Sequence, residues 1–181
     1  MGNRLSKIVT RTGDTGTTGL ATGGRLSKAH QRVQSMGDVD ELNCHIGLLR
    51  TQSLAPALDA SLQRIQHELF NLGGELAMPG HALVTEAHVE KLDEELGALN
   101  ESLPPLKEFV LPGGSPATAQ AHMARAVARR AERALWTLHA EEPLSPFAMQ
   151  YLNRLSDYLF VIARTLARAD GAGEVSWNHR R

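Results

Sequence analysis

A single cysteine, Cys44, stands in a chain of 181 residues. One thiol excludes an internal disulfide and a cysteine-based zinc site, and it makes a reducing compartment the simpler reading. Cys44 itself reads as helix packing. Aromatic residues make up only 4% of the chain, so aliphatic side chains must fill most of the core and each aromatic asks for its own explanation. Basic excess is missing too: 19 Lys and Arg stand against 20 Asp and Glu, which removes the electrostatic case for nucleic acid. No apolar run of transmembrane length and no signal-peptide h-region occur, so no membrane partner is expected and the reading is cytoplasmic. The opening MGNRLS fits the loose myristoylation pattern, which matters only in a eukaryotic cytosol. Asn100-Glu101-Ser102 is a sequon that means little without secretion. Eight histidines are scattered without ligand spacing, so no protein-bound transition metal is expected.

What the chain does have begins at Thr10. Residues 10–20 read TRTGDTGTTGL, after a short apolar strand signal at Ile8 and Val9. Glycine lets successive backbone N–H groups converge on an anion, threonine hydroxyls add donors or reach a hydrated Mg2+, and Asp14, expected to be sheltered, is the oxygen ligand such a metal would take. The lysine of a Walker loop is absent and no long helix pattern follows directly, so the ordinary P-loop fold fits poorly. A glycine-rich hairpin without a ligand fits the same composition. The next segment, ATGGRLSK, places Arg25 and Lys28 within reach of the loop, as a triphosphate would need.

After Lys28 the pattern is helical almost to the end. Val39, Leu42, Ile46 and Leu49 mark one stripe. Leu58, Leu62, Ile65, Leu69, Leu72 and Leu76 form another, as do Val89, Leu92, Leu96, Leu99 and Leu103, and Leu152, Leu155, Leu159, Ile162 and Leu166. Ser115-Pro116 is an N-cap with proline at the first helical position, opening a helix to about Leu138. Breaks at Ala55-Pro56, Met78-Pro79-Gly80, Leu111-Pro112-Gly113-Gly114 and Glu142-Pro143 give about five helices with short loops. The fold class is therefore all-α, a five-helix bundle with a short N-terminal strand and glycine-rich loop. At this length it is one domain, with residues 1–28 as the loop segment and 29–181 as the bundle.

On the helix from Ser115, His122, Arg125, Arg129 and Glu132 are spaced three, four, three, so they form one polar stripe, while Met123, Val127, Ala134 and Leu138 lie on another face. Such a stripe can be solvated, with Arg129 and Glu132 as a weak surface pair. Arg130 and Arg133 widen the basic side, which suits an anion or a neighbouring subunit. Further on, Asn153 and Asp157 share a side beside Arg154 and Tyr158; such groups at a bundle seam commonly close internal hydrogen bonds.

TRTGDTGTTGL and GGRLSK, then GDVDELN, FVLPGGS, ARRAER, YLNRLSDYLF and EVSW, occur in this order from Lys7 to about Trp177. Together they resemble the ATP:cob(I)alamin adenosyltransferases of the propanediol-utilisation type. The resemblance implies a five-helix bundle that assembles as a homotrimer, with ATP and cobalamin meeting in clefts between subunits. It implies that Thr10, Thr12, Gly13, Asp14, Gly16 and Thr17, with Lys28, form the ATP triphosphate and Mg2+ site, and that Arg129, Glu132 and Asn153 hold the nucleotide. Three residues fall nearest the chemistry. Asp40 and Arg125 match a pair that forms a salt bridge across the subunit interface, and Phe109 matches the aromatic residue on the lower face of the corrin ring. Ala21-Thr22 departs from members with phenylalanine and glycine there, in a variable turn.

The implied chemistry needs no serine, cysteine or general base, because cob(I)alamin is itself the nucleophile. An electron-donating reductase and an adenosylcobalamin-dependent enzyme are the partners it requires. Two other classes remain in view: a nucleotide-binding regulatory bundle without transferase activity, and a helical interaction protein. The region around Phe109 and the YLNRLSD helix argue against the first, and the ordered polar stripes against the second.

Overall fold

The computed structural model describes residues 8–171 and 173–179; the MGNRLS pattern and Lys7 lie outside the described residues. Two short strands, β1 (Thr17–Gly19) and β2 (Arg25–Ser27), precede five helices: α1 (Gln31–Arg50), α2 (Pro56–Ala77), α3 (Glu86–Glu101), α4 (Pro116–Glu141) and α5 (Pro146–Ala169). Helix α4 packs against α5 and α1, α1 against α2, and α3 against α5. No described helix is long and apolar enough to cross a membrane.

The helix starts follow local chemistry. Pro56, Pro116 and Pro146 each stand in a first turn, where a missing N–H costs nothing. Ser115 caps α4 by accepting the Thr118 N–H at 3.3 Å. At α3 the Thr85 N–H donates to His88 Nδ1 at 3.1 Å. The aliphatic stripes become the core: Leu42, Ile46, Leu49, Leu62, Ile65, Leu72, Leu92, Leu135, Leu155 and Leu159 are all fully enclosed.

One polar network runs through this core. The Tyr151 hydroxyl on α5 donates to Glu68 on α2 at 2.7 Å, and Arg64 joins Glu68 and Glu95 on α3. Burial and the neighbouring Glu68 carboxylate push the Tyr151 phenol well above its ordinary range, so it stays a neutral donor and fixes how three helices register.

Three local expectations are corrected. The extended signal at Ile8 and Val9 forms no strand; both residues are exposed. Pairing occurs instead across Thr17↔Ser27, Thr18↔Leu26 and Gly19↔Arg25, because the Leu20–Gly24 turn, with Gly23 at φ +88°, brings those two segments together. Cys44 does not pack; it faces outward from α1. Met123 is exposed as well, since it lies at the rim of the arc that buries Val127, Ala134 and Leu138.

Candidate functional site

The glycine-rich loop is a compact coil laid on the hairpin. Gly16 N–H donates to Gly13 C=O at 3.2 Å, Asp14 N–H to Arg11 C=O at 3.3 Å, and Lys28 N–H to Gly16 C=O at 2.9 Å. Thr10 and Thr12 hydroxyls meet at 3.0 Å. The Arg25 guanidinium staples the loop to the hairpin, donating to Thr12 C=O at 2.7 Å and to Thr17 Oγ1 at 2.8 Å. Gly13 sits at a close approach: a Cβ there would stand 3.1 Å from Lys28 Nζ and 3.3 Å from the Thr17 carbonyl oxygen, so a larger residue would push the lysine aside. Gly16 sits at φ +82°, and Arg11 at φ 61° is the one non-glycine with positive φ among the described residues. For a residue with a Cβ, as Arg11 has, that conformation costs of order 1 kcal/mol or more, and such strain gathers where a ligand is clamped. Asp14 is exposed, not sheltered, because the coil turns it to solvent. The whole assembly docks on the bundle through Ala21 N–H to Ala77 C=O at 3.0 Å, at the end of α2.

A second, separate site lies along α4 and α5. A cleft of about 660 Å3 is bounded by Arg125 and Arg129 from α4, Ser156, Asp157 and Phe160 from α5, and residues 106–110 of the crossover between α3 and α4. Phe109 is 76% exposed at its mouth, so core packing does not account for it. Arg125 stacks on the Phe160 ring at 5.9 Å, yet its Nε is enclosed and has no hydrogen-bond partner. Burial, then repulsion from Arg129, lowers its pKa from the ordinary guanidinium value. Beneath it His122 is buried, also with Nδ1 unpartnered, and its ring lies 6.2 Å from Phe160. One turn further along both helices, Asn153 donates to Glu132 at 3.2 Å, so Glu132 pairs with α5 rather than with Arg129.

Asp40 is elsewhere. It lines a groove of about 910 Å3 between α1 and α2, beside Asn43, Met36 and Phe70, and Phe70 is 73% exposed there. Asp40 and Arg125 line different hollows, and neither has an ion pair among the described residues. Among the described residues the loop likewise makes no hydrogen bond or ion pair with the side chains of Arg129, Glu132 or Asn153. Within one chain, then, the arginine cleft and the Asp40 groove are lined by different residues.

Comparison with known proteins gives this pattern a context. The sequence profile of the family described as cobalamin adenosyltransferase matches residues 8–166. The chain belongs to that family. A protein of Cupriavidus metallidurans named cobalamin adenosyltransferase is 57% identical over 100% of this chain and 99% of its own length. A corrinoid adenosyltransferase of Bacillus subtilis is 43% identical over 94% of this chain and 92% of its own. Among solved structures, a phenylalanine-to-histidine variant of the PduO-type ATP:corrinoid adenosyltransferase from Lactobacillus reuteri, complexed with cobalamin and ATP, superposes with a TM-score of 0.90 at 32% identity, covering 97% of this chain and 98% of that one.

Within this family member, the structure brings Phe109, Arg125 and Arg129 together, pairs Glu132 with Asn153, and gathers the loop residues around Lys28. It also adds residues that the sequence pattern did not single out. Phe160 backs the cleft under Arg125; its only signal was that aromatics are scarce. Trp177 comes back to within 6.3 Å of Phe109, a contact between segments too far apart in sequence for local pattern to reveal.

Proposed function

We infer that this chain transfers the 5′-deoxyadenosyl group of ATP to cob(I)alamin, giving adenosylcobalamin and inorganic triphosphate. Family membership supports the reaction class. The observation that carries the residue roles is the cleft in which an exposed Phe109 ring faces two arginines with no carboxylate partner among the described residues.

In this reaction cobalt(I) attacks the ribose C5′. The cobalt–carbon bond forms as the C5′–oxygen bond breaks, and its electron pair leaves with the triphosphate. The protein must align the two centres, neutralise the leaving group and exclude water. Residues 1–28 serve as the ATP segment of a single domain whose bundle is 29–181. Thr10, Thr12, Gly13, Asp14, Gly16, Thr17 and Lys28 cradle the triphosphate. Arg129, Glu132 and Asn153 hold the nucleotide from the helices. Mg2+ would enter with the phosphates: the exposed Asp14 carboxylate beside threonine hydroxyls fits a metal that takes one protein oxygen and keeps its waters. Phe109 walls the lower face of the corrin, leaving no axial ligand for cobalt(II) and making cobalt(I) easier to reach.

The loop and the arginine cleft lie apart within one chain, which supports sites completed between subunits of a homotrimer, with Asp40 of one chain meeting Arg125 of the next. A nucleotide-binding regulator would have no use for an exposed Phe109 opposite the arginines. The test is direct: mix protein, ATP, Mg2+ and chemically reduced cobalamin, and follow the absorption spectrum of adenosylcobalamin. No product under these conditions refutes the transferase reading; sedimentation giving a stable monomer refutes the shared site.

A further inference from the structure

Phe109 lies in the crossover of residues 102–115, which has no helix or strand of its own. A ring that walls a reacting metal must nevertheless be held to within about 0.5 Å. The chain solves this with a returning segment after α5. Gly171 and Gly173, at φ +70° and +69°, reverse the chain. The segment then runs antiparallel to the crossover: Leu111 N–H donates to Val175 C=O at 2.8 Å, Trp177 N–H donates to Phe109 C=O at 2.7 Å, and Val110 bridges to Ser176.

Two strands this short do not hold themselves in register. The anchor is Arg164 on α5, 5% exposed. Its Nε donates to Glu174 Oε1 at 2.5 Å, on the returning segment, while its Nη2 donates to Pro104 C=O at 2.8 Å, on the crossover. One planar guanidinium thus ties both limbs to the same helix, a geometry that a point-charge ammonium cannot reproduce. Arg164 does not line the cleft that contains Phe109; it lines a smaller cavity behind it.

We propose that Arg164 is a positioning residue for the cobalamin step: by clasping Glu174 and Pro104 together it sets the register of the returning segment on the crossover, and with it the place of the Phe109 ring. This rests on Phe109 being the corrin wall. The test compares wild type with Arg164→Lys, Arg164→Gln and Glu174→Gln in the full chain. ATP affinity is read by calorimetry, the four-coordinate cobalt(II) signal by electron paramagnetic resonance with ATP present, and transfer from both cobalt(II) and ready-made cobalt(I). Amide hydrogen exchange at Leu111 and Trp177 is read without cobalamin.

Arg164→Gln should lower the four-coordinate signal about ten- to a hundredfold, the range for a misplacement of ~1 Å. ATP affinity should be unchanged, cobalt(I) transfer should suffer least, and both amides should exchange faster; Arg164→Lys should fall between glutamine and wild type. An undiminished four-coordinate signal in a folded variant, or equal loss of ATP binding and every activity, overturns the proposal. Should Arg164→Gln fail to fold, Glu174→Gln leaves the guanidinium on Pro104 and carries the same expectations. A wild type that makes no adenosylcobalamin overturns the reading of Phe109, while the exchange rates still judge the clasp: unchanged rates in the variants refute it.

Discussion

Arg125 and Arg130 stand little more than a turn apart on α4, and the chain treats them oppositely. The Arg130 guanidinium meets Asp38 at 3.3 Å and also contacts Glu41, both on α1. Its charge is answered within the fold, so it is part of how α4 and α1 hold together. Arg125 has its Nε enclosed and no acidic partner among the described residues; the Phe160 ring lies against it. A half-buried cation without an anion is costly in an isolated subunit. It persists where something outside the subunit supplies the missing charge, whether a neighbouring chain or a phosphate. The same distinction separates Asp38, paired with Arg130, from Asp40, two residues away and without an ion pair among the described residues.

The largest expected effect comes from breaking the unanswered side. If Asp40 and Arg125 pair across the interface, Arg125→Ala strands a carboxylate there and costs about 3 to 5 kcal/mol, or roughly 10²- to 10⁴-fold in kcat/KM. Asp40→Ala should do the same, and the double variant should lose little more than either alone. The melting temperature of the subunit itself should hardly move, because Arg125 has no internal ion pair to lose. Arg130→Ala is the contrast: it takes a partner from the buried Asp38 carboxylate, so it should cost about 1 to 3 kcal/mol in stability, with transfer nearly intact. Equal effects of the two substitutions on kcat/KM would erase the comparison.

A smaller effect follows at the loop. Lys28→Ala removes one charge-assisted contact from the polyphosphate, worth about 1.5 to 3 kcal/mol, so Mg·ATP affinity should fall roughly ten- to a hundredfold by titration. Folding should be unaffected, since Lys28 is exposed. Smaller again is Phe109→Ala. A core aromatic would cost about 3 to 5 kcal/mol on truncation, but an exposed ring should leave the melting curve almost unchanged. Transfer starting from cobalt(II) with limiting reductant should slow about tenfold, equal to ~1.4 kcal/mol, and transfer from cobalt(I) should slow less. A large drop in melting temperature would return Phe109 to the core.

The sequence made the helices legible because their signals are local. Proline in a first turn and aliphatic spacings of three and four need no knowledge of the rest of the chain, and the Ser115-Pro116 start of α4 is such a case. The strand was misplaced because pairing depends on a partner: Ile8 and Val9 are extended-forming residues with nothing to pair against. Met123 looked packed because it lies at the edge of a stripe, where one residue's rotation decides burial, whereas Cys44 was read from residue type alone and sits on the side of α1 opposite the Leu42, Ile46 and Leu49 stripe. In the candidate site, glycine spacing and the arginine stripe were visible, and the family resemblance gave them roles. The clasp of Pro104, Arg164 and Glu174 was invisible, since it joins three segments with no shared periodicity.

The smallest expected effect tests why Arg125 is left unanswered. His122 lies one turn before it, buried, with Nδ1 unpartnered. Burial first, and then the Arg125 charge, lower its pKa from the ordinary 6.5, against a weaker pull upward from Glu174. The folded chain therefore keeps His122 neutral where the unfolded chain would protonate it. As pH falls below about 6.5 the unfolded state binds the extra proton, so this residue's contribution to stability is present above that pH and is lost on the way down to the depressed folded value. The slope is at most about 1.4 kcal/mol per pH unit for one proton. His122→Gln should flatten the fall in unfolding free energy across this window by that much or less, read from denaturant melts at each pH. In Arg125→Ala, which removes the second cause of the shift, the fall should begin at the same pH but level off sooner. If Arg125→Ala leaves the profile of the wild type unchanged, the Arg125 charge is not a cause of the His122 shift and burial alone holds the imidazole neutral.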